Sequence, residues 1–324
     1  MYNIIITGGA GFIGSHVFER VVQEYPDAVI TIIDKMTYAA SIENISTVLL
    51  HRHHKLCVGD ICDMELCLRL TRNADCVIHL AAESHVDNSF GNSLHFTHSN
   101  TLGTHTLLES CRQNQVARII HISTDEVYGE TYEKEHIETD QLNPSNPYSA
   151  SKAAADMIVN SYIHSFKLPI IIARANNIFG IRQFPEKIIP KFIMQGLLGQ
   201  KFTLHGNGRN RRRFLSAPDF ADAIVLLLQE GSNGKIYNVG SAEEYTNQQV
   251  AEMIARELAI DVTENSLFVQ DRPFNDFRYA INCDKLKSLG WSPRRDLAAS
   301  IGGMVAWYRE NADRYTEYFT PLER

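Results

Sequence analysis

The sequence predicts an α/β fold: a doubly wound parallel sheet followed by a smaller α/β C-terminal region. Short apolar, β-branched runs alternate with amphipathic stretches through the first half of the 324 residues, the pattern of parallel strands covered by helices on both faces. A glycine-rich turn, Thr7-Gly-Gly-Ala-Gly-Phe-Ile-Gly14, sits between the first strand pattern and the first helical one. After about residue 175 the texture changes to Asn-rich and Pro-rich loops. Residues 1–175 are therefore expected to form one domain, with a return segment near 213–240, and residues 176–324 a second.

In chain order, strands are expected at 3–7, 29–34, 55–59, 76–80, 118–123 and 169–174, with a return strand at 235–239. Helical periodicity covers 12–24, 63–71, 92–113, 148–166, 246–258 and 297–310. Right-handed crossovers between such strands put ligands at the carboxyl ends of the sheet.

Composition narrows the function classes. A chain with 44% hydrophobic and 21% charged residues and a net charge of -7 gives no reason to expect nucleic-acid or membrane binding. No apolar run reaches membrane-spanning length, and Met1-Tyr-Asn-Ile runs straight into a strand pattern with no basic-then-apolar leader. A cytoplasmic location is expected. The six scattered cysteines form no C-x-x-C pair and read as reduced thiols. His51-Arg52-His53-His54 reads as a solvated loop rather than a metal site, and no metal is expected. Arg209-Asn-Arg-Arg-Arg213 reads as a solvated charge run, with one or two arginines available to a phosphate.

The glycine turn carries the first chemistry. Gly8 and Gly11 allow a tight turn and close approach to a pyrophosphate, Gly14 lets the helix pack on the sheet, and the helix start aims N–H groups at phosphate. Asp34 ends the second strand twenty residues after Gly14, where an acidic side chain accepts from ribose hydroxyls and repels a 2′-phosphate. This is a Rossmann-like site for NAD rather than NADP. Asp60 and Ile61 follow the third strand to flank the adenine. Leu80, Ala81 and Ala82 follow the fourth beside the ribose and nicotinamide.

The run 118–123 delivers Thr124, Asp125 and Glu126 to the same edge of the sheet. Tyr148 and Lys152 lie one turn apart on the next helix, so the ammonium is expected to lower the phenol's pKa and ready it to take a hydroxyl proton. The adjacent acids supply one carboxyl to donate a proton and one to accept it. A chain with both sets should move a hydride and also eliminate something.

These residues carry a resemblance that runs the length of the chain. The supporting motifs include Asp34-Lys-Met-Thr-Tyr38, His79-Leu-Ala-Ala-Glu-Ser-His-Val-Asp87, Ser123-Thr-Asp-Glu-Val-Tyr-Gly129 and Tyr148-Ser-Ala-Ser-Lys152. Asn176-Asn177, Phe184-Pro-Glu-Lys-Ile-Ile-Pro190, Asp271-Arg-Pro and Leu289-Gly-Trp291 complete the set. The chain resembles the extended short-chain dehydrogenase/reductases and, within them, the nucleoside-diphosphate-glucose 4,6-dehydratases. The resemblance implies that Tyr148, backed by Lys152, takes the 4-hydroxyl proton while carbon 4 gives hydride to NAD. Glu126 then removes the acidified proton of carbon 5, Asp125 protonates the 6-hydroxyl, and water leaves. Hydride returns to carbon 6 and a proton to carbon 5.

Carried onto this sequence, the resemblance adds Phe12, Ile13, Lys35, Thr37, Ser84, Ser99 and Asn177 to the cofactor contacts. On the substrate side it implies that Ser84 and Thr124 meet the hexose and that Asn176 faces the substrate. Glu186, Lys187, Ile188, Thr203 and His205 line the nucleotide site, Arg212 and Arg272 hold the diphosphate, and Asn247 and Asn275 complete the contacts. It also implies a homodimer built on a four-helix bundle from 92–113 and 148–166. UDP-sugar 4-epimerases and UDP-glucuronate decarboxylases share the fold, but an epimerase needs no acid for a leaving hydroxyl, and the decarboxylases generally carry Ser in place of Asp125. A catalytically idle NAD-binding protein is the alternative from another class. His205 in place of a Tyr, Asn275 in place of a His and Ser216-Ala-Pro218 depart from the bacterial dTDP-glucose pattern, while His205, Val86-Asp-Asn-Ser-Phe90 and Asn275-Asp-Phe-Arg-Tyr279 resemble the plant and large-virus UDP-glucose dehydratases and their animal relatives. These positions lean the nucleotide to UDP but leave it open, and a thymine methyl, worth only ~0.8 kcal/mol of apolar contact, allows both UDP and dTDP.

Overall fold

The computed structural model describes residues 2–49 and 54–320. The first six strands are β1 (Asn3–Thr7), β2 (Val29–Asp34), β3 (Lys55–Val58), β4 (Cys76–His79), β5 (Arg118–Thr124) and β6 (Ile170–Ala175). The others are β7 (Asn177–Phe179), β8 (Phe202–His205), β9 (Arg211–Ser216), β10 (Ile236–Val239), β11 (Glu244–Thr246) and β12 (Ser266–Val269). Seven of them form one sheet in the order β10-β6-β5-β4-β1-β2-β3, and every neighbouring pair is parallel. The order reverses between β1 and β4, so the connections that follow these two strands diverge and open a crevice at their carboxyl ends.

The alternation of side chains along each strand explains why both faces are covered. Ile4, Ile6, Ile30, Ile32 and Ile78 point to one face, with Val17 and Phe18 of the helix Phe12–Glu24 and Ile224 and Leu228 of the helix Ala217–Glu230. Ile5, Ile33, Val77 and Ile119 point to the other, with Leu107, Cys111 and Val159. Each fully buried isoleucine contributes about 1.5–3 kcal/mol. A further core of Phe179, Phe192, Phe202, Ile254 and Ile301 lies among the helices Ile188–Leu197, Asn247–Leu258 and Leu297–Glu310. β7, β9 and β11 form a three-stranded sheet and β8 pairs with β12.

Two differences from the sequence reading stand out. The helices Ile188–Leu197 and Ala217–Glu230 fall in a region read as loops. The second is capped by Ser216, which accepts from Asp219 N, with a proline in its first turn. The stretch 92–113 is not one helix but Ser93–Phe96, a π turn at Thr97–Leu102 and an α-helix at Gly103–Gln113. At the last junction a Cβ on Gly103 would lie 2.7 Å from Ile61 Cδ1, so the helix approaches the third crossover closely. The part of the histidine run at 51–53 lies outside the described residues. All six cysteines are free. Among the described residues no helix is long and apolar enough to cross a membrane.

Candidate active site

The crevice begins at the glycine turn. Gly8 has φ +71°, and a Cβ there would lie 2.8 Å from the backbone of Ala81, so the turn abuts the chain leaving β4. A Cβ on Gly14 would fall 2.0 Å from Gly8 O. No side chain caps the helix start at Gly11, leaving its N–H groups to meet a phosphate. Asp34 closes the turn from β2: its Oδ2 accepts from Ala10 N and its Oδ1 from Met36 N, both at 2.9 Å. Burial pushes its carboxyl up, and these backbone N–H groups oppose that shift. Lys35 pairs with Asp60 at 2.7 Å. Thr7 Oγ1 accepts from Leu80 N and Ala81 N, holding the small residues after β4 against the turn.

β5 ends at Thr124, whose hydroxyl caps the short 3₁₀ turn Asp125–Tyr128 by accepting from Glu126 N at 3.3 Å. Asp125 Oδ2 accepts from Asn176 Nδ2 at 2.7 Å and Oδ1 from Thr124 Oγ1 at 3.3 Å. Burial, reinforced by the neighbouring Glu126 carboxylate, pushes the Asp125 carboxyl up to about 7. Burial also raises Glu126, while the nearby Arg212 and Lys187 oppose it. Glu126 Oε2 is 3.4 Å from Asn146 Nδ2 and 3.5 Å from the Tyr279 hydroxyl.

The helix Pro147–Phe166 starts with a capping box between Asn146 and Ser149, which fixes where Tyr148 enters the crevice. Its phenol is not lowered as expected. Burial raises it first and the Glu126 carboxylate adds to the rise. Lys152 Nζ instead donates to Ile122 O at 2.8 Å, and burial lowers the ammonium to about 8. The two groups lie in a site where each is disfavoured in its charged form.

Every residue expected from the sequence to contact cofactor or substrate lines this one crevice, except Asp125. That side chain sits behind Thr124 and Asn176, which do line it. Lys187 Nζ donates to Ser84 O at 2.6 Å. Arg212 lies over the Tyr279 ring at 4.7 Å, and Arg272 Nε is 2.5 Å from Asp87 Oδ1. Arg213, expected on the surface, is 8% exposed and donates to Glu135 at 2.7 Å and Ile281 O at 3.2 Å. The sequence reading missed Asn146, Asp276 and Tyr279 as lining residues. Tyr279 donates to Asp276 and faces Glu126. Asn146 before Pro147 is a legible helix-cap signal, whereas nothing local marks the other two.

Residues 5–304 match the family described as GDP-mannose 4,6 dehydratase. Human dTDP-D-glucose 4,6-dehydratase is 38% identical, over 99% of this chain and 93% of its own length. The chain belongs to the nucleoside-diphosphate-sugar 4,6-dehydratases of the extended short-chain dehydrogenase/reductases. A trifunctional UDP-glucose 4,6-dehydratase/UDP-4-keto-6-deoxy-D-glucose 3,5-epimerase/UDP-4-keto-L-rhamnose-reductase of Arabidopsis thaliana is 44% identical over 96% of this chain. The chain spans about half of that protein's length, 47%. Among solved structures, the dTDP-glucose 4,6-dehydratase DesIV of Streptomyces venezuelae, with NAD and TYD bound, superposes with a TM-score of 0.94 at 36% identity. That match covers 97% of this chain and 99% of the dehydratase chain.

Proposed function

We propose that the protein is an NAD-dependent 4,6-dehydratase that converts UDP-glucose or dTDP-glucose to the nucleotide-linked 4-keto-6-deoxy-glucose and water. The observation that carries this reading is the buried acid pair: Asp125, pushed up to about 7, stands beside Glu126, whose carboxylate side faces the crevice. Below about pH 7 one group holds a proton, and the other can take one, as an elimination requires. The glycine turn, the uncapped helix start and Asp34 fit a dinucleotide with a free 2′-hydroxyl. Bound NAD supplies the hydride acceptor for carbon 4 and the donor for carbon 6.

This chain's side chains do the rest. Tyr148, as a phenolate that Lys152 stabilises, takes the proton of the 4-hydroxyl and becomes the phenol. With a ketone at carbon 4, the proton on carbon 5 is acidic, and Glu126 removes it. Asp125, reached through Thr124 and Asn176, protonates the 6-hydroxyl as water leaves. Glu126 returns its proton to carbon 5 when carbon 6 is reduced. Arg212 and Arg272 bind the diphosphate as bidentate forks, the latter exchanging its Asp87 partner for phosphate.

The same reading divides the chain into a cofactor domain over residues 1–175 with a return segment near 213–240, and a sugar-nucleotide domain over 176–324. It places the enzyme in the cytoplasm as a homodimer. The exposed Leu94, Leu102 and Met157 on the helical stretches 93–113 and 147–166 support a four-helix contact. Incubation of the purified protein with each sugar nucleotide, without added NAD, tests the function. An alkali-sensitive 4-keto chromophore is the expected product. UDP-galactose, or UDP-xylose from UDP-glucuronate, would assign the epimerase or decarboxylase chemistry instead.

A further inference from the structure

Behind Lys152, on the side away from the crevice, lies a buried charged cluster that the proposed chemistry does not use. Asp156 follows Lys152 by four residues, so the two share one face of the helix Pro147–Phe166. Asp156 and His121 are 0% exposed and Arg174 is 2% exposed. Arg174 Nε donates to Asp156 Oδ2 at 2.9 Å, and His121 Nε2 lies 3.3 Å from Asp156 Oδ1. The guanidinium is seated 4.8 Å over the Tyr128 ring, and the Tyr128 hydroxyl donates to Asn238 at 2.9 Å.

We propose that Asp156 is a positioning residue that keeps Lys152 charged inside the protein, and that Arg174 and His121 hold Asp156 ionised for that purpose. The proposal rests on the role given to Lys152 above. Lys152 is 5% exposed, and its hydrogen-bond acceptor is the neutral carbonyl of Ile122. A buried ammonium with no counter-charge sheds its proton. The titratable groups packed around it come from several elements: His121 on β5, His79 on β4, Arg174 on β6 and Asp156 on its own helix. His79 and His121 have ring centroids 5.3 Å apart, and burial holds both below the usual histidine range. On the crevice side, Asp125 and Glu126 act on Tyr148. Asp156 is the charge that favours the Lys152 ammonium against burial. Burial disfavours the Asp156 carboxylate, but His121 and Arg174 hold it below the usual range.

A purely structural role, tying the helix to β6, predicts a loss of stability and nothing else. The positioning role predicts a change in the titration of Lys152. That titration can be read directly by NMR on protein carrying ¹³C-labelled lysine side chains, with the resonance assigned by its absence in K152M. In Asp156→Asn the Lys152 resonance is expected to titrate about one pH unit lower. The alkaline limb of sugar oxidation should move down by the same interval, with kcat above that limb reduced about tenfold and KM changed by less than about twofold. Because Asp156→Asn leaves Arg174 unpaired, the double variant Asp156→Asn/Arg174→Gln is measured alongside, with a shift in the same direction expected. Asp156→Glu should restore the wild-type titration. Lys152 titrating unchanged in either folded variant would overturn the proposal. The NMR reading holds even for a protein without dehydratase turnover, so failure of the functional reading is seen separately.

Discussion

Asp125 and Glu126 are neighbours in the chain, yet they meet different surroundings. Asn176 and Thr124 enclose Asp125, while Glu126 faces Arg212, Lys187 and Tyr279. Two like charges side by side cannot both ionise cheaply, so the more enclosed one carries the proton. Asp125→Asn and Glu126→Gln should each lower turnover about 10²–10⁴-fold while bound NAD is still reduced on addition of sugar nucleotide. Rapid mixing followed by absorbance of the reduced cofactor, with product quantified in parallel, checks both halves. The pH dependence has a definite sign. A carboxyl raised to about 7 is the acid below that pH and has lost its proton above it. The elimination rate of the unaltered enzyme should therefore fall as pH rises through about 7. In Asp125→Asn that limb should vanish from the rapid-quench profile.

At the scale of elements, the strands were the most legible part of the chain. β1 and β2 fall where their apolar runs predict, and the other sheet strands within one residue of it, because a strand buried on both faces must be apolar along its length. Helices of the second half were less legible. Ile188–Leu197 and Ala217–Glu230 each carry a proline in the first turn, and in a stretch rich in Asn and Pro that residue reads as a loop signal rather than a helix start. Arg174 and Arg213 show a second limit. Their burial depends on Asp156 and Glu135, partners set by the fold rather than by local pattern. The site was legible where local geometry dictates residue type, as at Gly14, whereas the cap signal at Asn146 was passed over. Gly14→Ala should abolish cofactor retention, since its Cβ would overlap Gly8 O, and the bound NAD released on denaturation measures this. Asn146→Ala removes the helix cap and should cost about 1 kcal/mol, lowering Tm by about 1–2 °C.

For the whole molecule, the sheet order explains why residues far apart in sequence meet. Strands β1, β2 and β3 run outward in one direction and β4, β5, β6 and β10 in the other, so the cofactor turn and the acid pair share one edge. Lys187 and Arg212 reach that edge from the second apolar core. Leu94, Leu102 and Met157 remain exposed. Leu102→Asp with Met157→Asp should convert the proposed dimer to a monomer in analytical ultracentrifugation, and a dimer that persists would move the interface elsewhere. The central claim is that one sugar is oxidised, dehydrated and reduced without leaving the crevice. Mass spectrometry and NMR of the product made from nucleotide glucose deuterated at carbon 4, in ordinary water, test it most directly. The deuterium is expected on carbon 6 of the product, with hydrogen on carbon 5. Deuterium retained at carbon 4, or lost to solvent, would contradict it.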